Sequence, residues 1–254
     1  QVYVIFLLFF FIVLWLTEAM PAFSVSLFII AYLVFTLGNK YLNSAPENIE
    51  KYVQTFSGSM IWLLLGGFFL AAAMTKTKLD RTLFKYTLKI SGTNPRHLLI
   101  GLMGTTMVAS MLMSNTATTS MVIAAILPLL VSLGKKSGIA KALLLGIPLA
   151  AATGGIGTII GTPPNAIGAG ALKNAGIIVE FLDWMKFGIP VSVALTAIAC
   201  IALIRIYMKD AAPIPLDFLE NETLETNEES TLKRNIVAVV IIITVGLWLT
   251  TSLH

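Results

Sequence analysis

The sequence predicts an all-α polytopic membrane fold, and three observations support this prediction. Hydrophobic residues make up 57% of the 254-residue chain and charged residues only 12%, whereas soluble domains carry about 25% charged residues. The hydrophobic residues form long runs that are separated by short polar stretches. Two of these runs are interrupted by polar or helix-breaking residues, at positions 110–120 and 153–165. Together these features predict membrane helices, two of which are broken.

The net charge of +4 and the pI near 9.2 do not indicate a nucleic-acid-binding protein. The seventeen Lys and Arg residues lie at or near the ends of the apolar runs and form no single basic patch. The single cysteine, Cys200, lies within an apolar run and forms no intrachain disulfide. We therefore expect the lipid bilayer to surround this chain, and we expect no nucleic-acid partner.

The first part of the chain contains three predicted spans. Residues 2–16 and 21–37 are apolar runs separated by a short polar stretch that contains Glu18. A polar loop follows at 39–55, and the third run covers 57–74. We expect these runs to be transmembrane helices.

Residues 78–90 have a different pattern, because charged and apolar side chains alternate with the period of a helix. The basic residues on one face are Lys78, Arg81, Lys85 and Lys89, and the apolar residues on the other are Leu79, Leu83, Tyr86 and Ile90. This pattern predicts an amphipathic helix, within residues 76–95, that lies along the membrane surface.

A helical hairpin is predicted at residues 96–133, with its tip at Ser114, Asn115 and Thr116. The stretch 110–120 reads Ser-Met-Leu-Met-Ser-Asn-Thr-Ala-Thr-Thr-Ser between two apolar arms, and such side chains compete with the backbone for hydrogen bonds. Each arm of about 18 residues barely crosses a hydrocarbon core of about 30 Å. Length therefore permits two full spans or a re-entrant hairpin, and the uncharged tip favours the re-entrant form.

The second interruption lies within a predicted broken span at 139–175. Its glycines tolerate positive φ, and Pro163 and Pro164 have no backbone N–H to donate. A span at 187–208, an acidic linker at 209–234 and a final helix at 235–254 complete the chain. Broken membrane helices expose helix ends and carbonyl groups that coordinate substrates and ions, so two of them predict a transporter.

The positive charges predict the orientation of the chain. If the loop after Met74 is cytoplasmic, thirteen of the seventeen Lys and Arg residues lie on the cytoplasmic side. This orientation places Gln1 outside, which implies at least one further span before it. It also makes the hairpin enter from the cytoplasm, and it fits a multi-pass protein of the cell inner (plasma) membrane.

The uncharged breaks suit a cation, because no Lys or Arg is expected at mid-depth to pair with an anion. Oxygen atoms that can hold a dehydrated alkali ion are those of the Ser110, Ser114 and Asn115 side chains and of the backbone near Asn115 and Gly161. The helix amino ends near Thr116 and Asn165 carry partial positive charge and suit a carboxylate. We therefore expect bound sodium and two helix dipoles to offset the charge of an anion.

The residues of the two breaks, taken alone, also permit simpler explanations and other functions. Serine, threonine and glycine in membrane helices also serve close helix packing. An ion channel would use the same oxygens as a filter, without coupling to a gradient. A membrane enzyme is disfavoured, because the sequence offers no nucleophile–base pair and no metal-ligand cluster.

Two motifs together resemble a known family. Ser114-Asn115-Thr116 at the hairpin tip, followed about 45 residues later by Gly161-Thr-Pro-Pro-Asn165 in a broken helix, is similar to the divalent anion/sodium symporters. These carry di- and tricarboxylates or sulfate. The resemblance covers essentially the whole chain and implies sodium-coupled uptake of a divalent anion, which we expect to be a C4-dicarboxylate such as succinate.

The resemblance also implies an architecture. It implies a homodimer in which a transport domain moves as an elevator against a scaffold domain. Residues 1–75 then belong to the scaffold, 96–208 to the transport domain, and 235–254 to a scaffold helix of the second half. The family contains two inverted repeats with a second Ser-Asn-Thr hairpin. This chain matches roughly the first half, so we expect a missing C-terminal half that carries the second hairpin.

The same resemblance implies roles for individual residues. Those implied to bind sodium are Ser110, Ser114, Asn115 and Gly161. Those implied to approach a substrate carboxylate are Asn115, Thr116 and Thr162. Sodium is thus expected as the co-transported ion, and no catalytic residue is expected.

Overall fold

A computed structural model describes residues 2–38, 41, 48, 50, 57–134, 136–209 and 228–250. Most of the predicted loop at 39–55 and of the predicted linker at 209–234 lies outside these residues. The described helices are α1 (Val2–Leu16), α2 (Ala22–Leu37), α3 (Ser59–Lys76), α4 (Leu79–Ser91), α5 (Pro95–Ser110), α6 (Asn115–Ala125), α7 (Leu127–Leu133), α8 (Gly138–Gly154), α9 (Pro163–Asn174), α10 (Phe181–Tyr207) and α11 (Glu228–Leu249). The chain forms two compact units, residues 1–62 and 63–254.

The first unit contains the helix pair α1 and α2. Leu7, Phe11 and Val25 are buried between these helices, and the rings of Phe11 and Phe28 meet edge to face with centroids 5.7 Å apart. The two helices have 15 and 16 residues. At 1.5 Å per residue they are about 22–24 Å long, which is shorter than the hydrocarbon core.

The second unit is built around α5, α8 and α10. Gly146 on α8 lies where the three helices meet, because a Cβ placed on it would lie 3.0–3.2 Å from atoms of Met103, Leu99 and Leu203. The absence of a side chain at this position allows α5 and α10 to approach α8 closely. The resulting core is apolar and fully buried at Leu99 and Ile147.

Large apolar side chains cover the outside of the helices. Trp62 and Phe69 on α3 are 63% and 69% exposed, and Phe187 on α10 is 77% exposed. Four helices in the described part of the chain are long and apolar enough to span a membrane, or five if the bent pair α6–α7 counts as one span. The prediction of an all-α polytopic membrane protein is confirmed.

Helix α4 packs on the core with a different face from the one that the sequence pattern indicates. Phe84 and Leu88 are buried, whereas Tyr86 and Ile90, which the pattern assigns to the apolar face, are each 67% exposed. Thr87 on α4 and Thr105 on α5 share a hydrogen bond of 2.6 Å. The helix therefore has two apolar stripes, one toward the core and one outward.

The second hairpin arm is not a single helix. Helices α6 and α7 meet at a bend of 57° at Ile126, whereas the predicted arm is unbent. Pro128 stands in the first turn of α7. Its missing N–H and its ring prevent a continuous helix, because the ring conflicts with the carbonyl four residues earlier.

Two predicted helix starts are wrong. Helix α10 begins at Phe181 and not at 187, and its first two turns carry an exposed ion pair of 2.7 Å between Asp183 and Lys186. Helix α11 begins at Glu228 and not at 235, so residues 228–234 of the predicted linker are helical. Hydropathy marks only the apolar part of a span, and it misses polar turns that extend the helix.

Candidate functional site

The hairpin tip is a four-residue turn between α5 and α6. Ser110 ends α5, and Asn115 begins α6. Ser114 is the N-cap of α6, since its side chain accepts a hydrogen bond of 3.2 Å from the Ala117 N–H. The tip therefore presents the amino end of a helix, as predicted from its serine, asparagine and threonine residues.

Three oxygen atoms converge behind this tip. Ser110 Oγ lies 2.7 Å from Asn115 Oδ1 and 2.7 Å from the carbonyl oxygen of Ala151 on α8. Ser110 is completely buried. One hydroxyl proton cannot satisfy both acceptors fully, so the cluster has more oxygen lone pairs than donors.

The second break separates α8 from α9. A single 3-10 turn at Gly155–Gly157 ends α8, Thr158 is extended, and α9 begins at Pro163 with Thr162 as its N-cap residue. Because Pro163 and Pro164 have no N–H, the carbonyls four residues before them receive no helical hydrogen bond. The predicted interruption is therefore present as an irregular turn between two helices.

Thr158 joins the two breaks. Its hydroxyl donates to the carbonyl oxygen of Met111 at the hairpin tip over 2.5 Å and accepts from the Gly161 N–H over 3.0 Å. Gly155 makes a second junction, because a Cβ placed on it would lie 2.5 Å from Asn115 Oδ1. The hairpin tip and the broken helix are thus in direct contact.

Asn165 was not predicted as a side-chain participant. Its Nδ2 donates to the carbonyls of Gly155 and Thr158, each over 2.8 Å, and the residue is only 8% exposed. The signal that points to it is an amide residue directly after two prolines in an apolar segment. From the sequence, this position was predicted only as a helix end and as part of the family motif.

Helix α10 closes the other side of the broken turn. Trp184 Nε1 donates to the carbonyl of Ile156 over 3.0 Å. A Cβ placed on Gly188 would lie 2.7 Å from the same carbonyl oxygen and 2.9 Å from that of Gly157. The absence of a side chain at Gly188 therefore lets α10 approach the broken turn closely.

The predicted site residues fall into two groups. Ser110, Asn115 and Gly161 lie in the region where the two breaks meet, and Gly155 stands between the last two. Ser114 is exposed and uses its hydroxyl as the helix cap. Thr116 is exposed and Thr162 is half-buried.

The buried polar side chains of the described residues are all uncharged. They are Ser91, Thr106, Ser110, Thr118, Thr158, Asn165, Ser192 and Thr196. A neutral, oxygen-rich interior satisfies a hard cation without a counter-charge, whereas an anion placed there would need another source of positive charge.

Comparisons with known proteins agree with these observations. A family model described as citrate transporter matches residues 12–254. The sodium-dependent dicarboxylate transporter SdcS of Staphylococcus saprophyticus is 30% identical over 250 residues, which cover 93% of this chain and 46% of that protein. SdcS of Staphylococcus aureus is 31% identical over 204 residues, covering 74% and 37%.

A third relative is an uncharacterized transporter of Schizosaccharomyces pombe, which is 36% identical over 183 residues, covering 70% of this chain and 21% of that protein. The chain spans less than half the length of each of these relatives. The resemblance to the divalent anion/sodium symporters is confirmed. Taken with its apolar helices, the family match makes the chain a multi-pass protein of the plasma membrane that belongs to the citrate transporter family.

Proposed function

We propose that this chain forms part of a secondary transporter that couples sodium entry to the uptake of a C4-dicarboxylate such as succinate. The observation that carries the proposal is the convergence of Ser110 Oγ, Asn115 Oδ1 and the Ala151 carbonyl oxygen at the junction of two helix breaks. Relatives named as sodium-dependent dicarboxylate transporters support both the ion and the substrate class.

Sodium is the ion that we assign to this oxygen cluster. The proposed ligands are Ser110, Ser114, Asn115 and Gly161. Hard cations take oxygen ligands from side chains and from backbone carbonyls, and unwound backbone in transporters supplies such carbonyls. The excess of lone pairs over protons around Ser110 favours a cation over a neutral ligand.

The substrate carboxylate is assigned to the amino ends of α6 and α9, where the proposed contacts are Asn115, Thr116 and Thr162. Both helix starts lack acidic residues in the first turn, so no carboxylate there neutralises the partial positive charge of the helix amino ends, which favours an anion. Bound sodium supplies the remaining positive charge. Sodium and substrate are therefore expected to bind cooperatively.

A second candidate substrate is a tricarboxylate, because the family that matches the chain is described as citrate transporter. Sulfate remains the third choice among divalent anions. An ion channel is the alternative mechanism, and it differs by conducting ions without accumulating substrate against a gradient.

The behaviour of the whole protein is also a proposal. We assign the chain to the first half of an inverted-repeat transporter that works as a homodimer by an elevator-type movement. Helix α5 has 16 residues and is therefore about 24 Å long, too short to cross the hydrocarbon core unaided. This length supports a re-entrant hairpin at 96–133.

The test is uptake of radiolabelled succinate and citrate into proteoliposomes that contain the full-length protein. We expect uptake to require a sodium gradient and to fall about tenfold or more in Asn115→Ala, the range seen when the surroundings of a metal site are removed. Asn174→Ala, at the exposed end of α9, is the matched control. Uptake that does not depend on sodium, or that is unchanged in Asn115→Ala, contradicts the proposal.

A further inference from the structure

We propose that Asn165 is a positioning residue that sets the spacing between Asn115 and Gly161 by holding Gly155 between them. The proposal rests on the sodium site proposed above. Asn165 itself is not proposed to touch the ion or the substrate. It acts through the backbone of the broken turn.

The N–H donors of the Asn165 side chain are committed to that backbone. Its amide group has two protons, and Nδ2 donates over 2.8 Å to the Gly155 carbonyl and over 2.8 Å to the Thr158 carbonyl. The opposite orientation of the amide would place Oδ1 against two carbonyl oxygens, which would repel it. Since the residue is buried, no water substitutes easily for these two bonds.

The first consequence concerns Gly155, which has neighbours on three sides. Its Cα faces the Asn115 amide, since a Cβ there would come within 2.5 Å of Oδ1. Its carbonyl oxygen accepts the Asn165 proton and also abuts Gly161, where a Cβ would lie 2.5 Å from that oxygen. Gly155 therefore separates Asn115 from Gly161. The hydrogen bond from Asn165 to the Gly155 carbonyl holds Gly155 in this position.

The second consequence concerns which carbonyls remain for a cation. Asn165 directs the carbonyls of Gly155 and Thr158 toward α9, and Trp184 directs that of Ile156 toward α10. These three oxygens are therefore occupied by side-chain donors. Loss of the Asn165 donors would release two of them and change the set of oxygens near the ion.

The decisive variant is Asn165→Asp, which keeps the shape of the side chain but replaces its two N–H donors by a carboxylate oxygen. We expect the sodium concentration for half-maximal uptake in the full-length protein to rise about tenfold or more, as it does when outer partners of metal sites are lost. We expect the maximal rate at saturating sodium to be retained. We also expect the preference for sodium over lithium to weaken, because the oxygen spacing changes.

Two matched controls separate this role from a general loss of structure. Asn174→Asp places the same new charge on the same helix at an exposed position. Trp184→Phe removes the donor to the Ile156 carbonyl in the same turn but leaves Gly155 held. Asn174→Asp is expected to keep the sodium dependence of the unmodified protein, and Trp184→Phe is expected to shift it less than Asn165→Asp does.

The possible outcomes are distinguishable. If the unmodified protein shows no sodium-dependent uptake, the proposed function fails. If it does, and Asn165→Asp lowers only the maximal rate or shifts sodium dependence no more than Trp184→Phe does, the positioning role is wrong. Should Asn165→Asp not fold, Asn165→Ser, which keeps one donor, is measured instead; an unchanged sodium dependence in that variant overturns the inference.

Discussion

The Asn115 side chain lies directly against the backbone of Gly155, so closely that a Cβ at Gly155 would come 2.5 Å from Asn115 Oδ1. These residues are 40 positions apart and belong to two different helix breaks. The contact holds the amino end of α6 against the carboxyl end of α8. The two helix breaks, each of which is only weak evidence for a binding site when taken alone, thus form one site.

This contact predicts the effect of Gly155→Ala. The backbone at Gly155 is right-handed helical, with φ −56°, so alanine fits the local conformation, and only the clash with Asn115 changes. We expect the sodium concentration for half-maximal uptake to rise about tenfold or more. Gly104→Ala on α5 is the control, because a Cβ there meets no atom within 4 Å. Equal sodium dependence in the two variants would refute the role of the contact.

Ser110→Ala tests the oxygen cluster itself. When the serine hydroxyl is removed, the Ala151 carbonyl keeps the Gly155 N–H as a donor and only Oδ1 of the half-buried Asn115 loses one, so stability should change little, by about 1 kcal/mol. The apparent sodium affinity should fall instead. Sodium titration of uptake and thermal unfolding measured together check this, with Ser120→Ala at an exposed position of α6 as control. Loss of stability without loss of sodium affinity would mean that Ser110 has only a packing role.

Sequence reasoning located both breaks because polar residues and prolines are conspicuous in apolar runs. The positions of Ser114 as cap and of Pro163 at a helix start follow from local rules for helix ends. Such rules need only a few neighbouring residues. The fold class and the region of the candidate site were therefore predictable.

Contacts between distant segments were not predictable in this way. The bond from Thr158 to Met111 spans 47 positions, and nothing in either segment identifies the partner. The bend at Ile126 differs from these contacts, because its cause, Pro128, is local and stands within the predicted arm. The core-facing stripe of α4 depends on which neighbour covers it, and a single helix pattern does not contain that information.

The link between the two breaks predicts the effect of Thr158→Val. Valine keeps the shape of threonine and suits the extended backbone at φ −132° and ψ 160°, but it removes the donor to the Met111 carbonyl and the acceptor for the Gly161 N–H. A buried group left without its partner costs about 1–3 kcal/mol. We expect the protein to unfold at a lower temperature in detergent and to need more sodium.

The control for this substitution is Thr119→Val on α6. The Thr119 side chain is half-buried, and within the described part of the chain its hydroxyl takes no part in the junction between the breaks. Its replacement should leave the unfolding temperature nearly unchanged. If both valine variants were equally stable, the Thr158 link would contribute nothing to the junction.

Gly138→Ala separates stability from function. Gly138 begins α8, and a Cβ there would clash with the backbone carbonyl oxygen of Tyr207 at the end of α10. Because a backbone group cannot rotate away, the clash should destabilise the protein by about 1–3 kcal/mol. The 17-residue length of α8 places this position about 25 Å from the break at Gly154. Sodium dependence should therefore be unaffected, while thermal unfolding moves to a lower temperature.

Gly104→Ala should instead stabilise its helix by roughly 0.5–1 kcal/mol. A changed sodium dependence in Gly138→Ala would show that the two ends of α8 are coupled, and the rigid packing of α8 on α10 would have to be reconsidered.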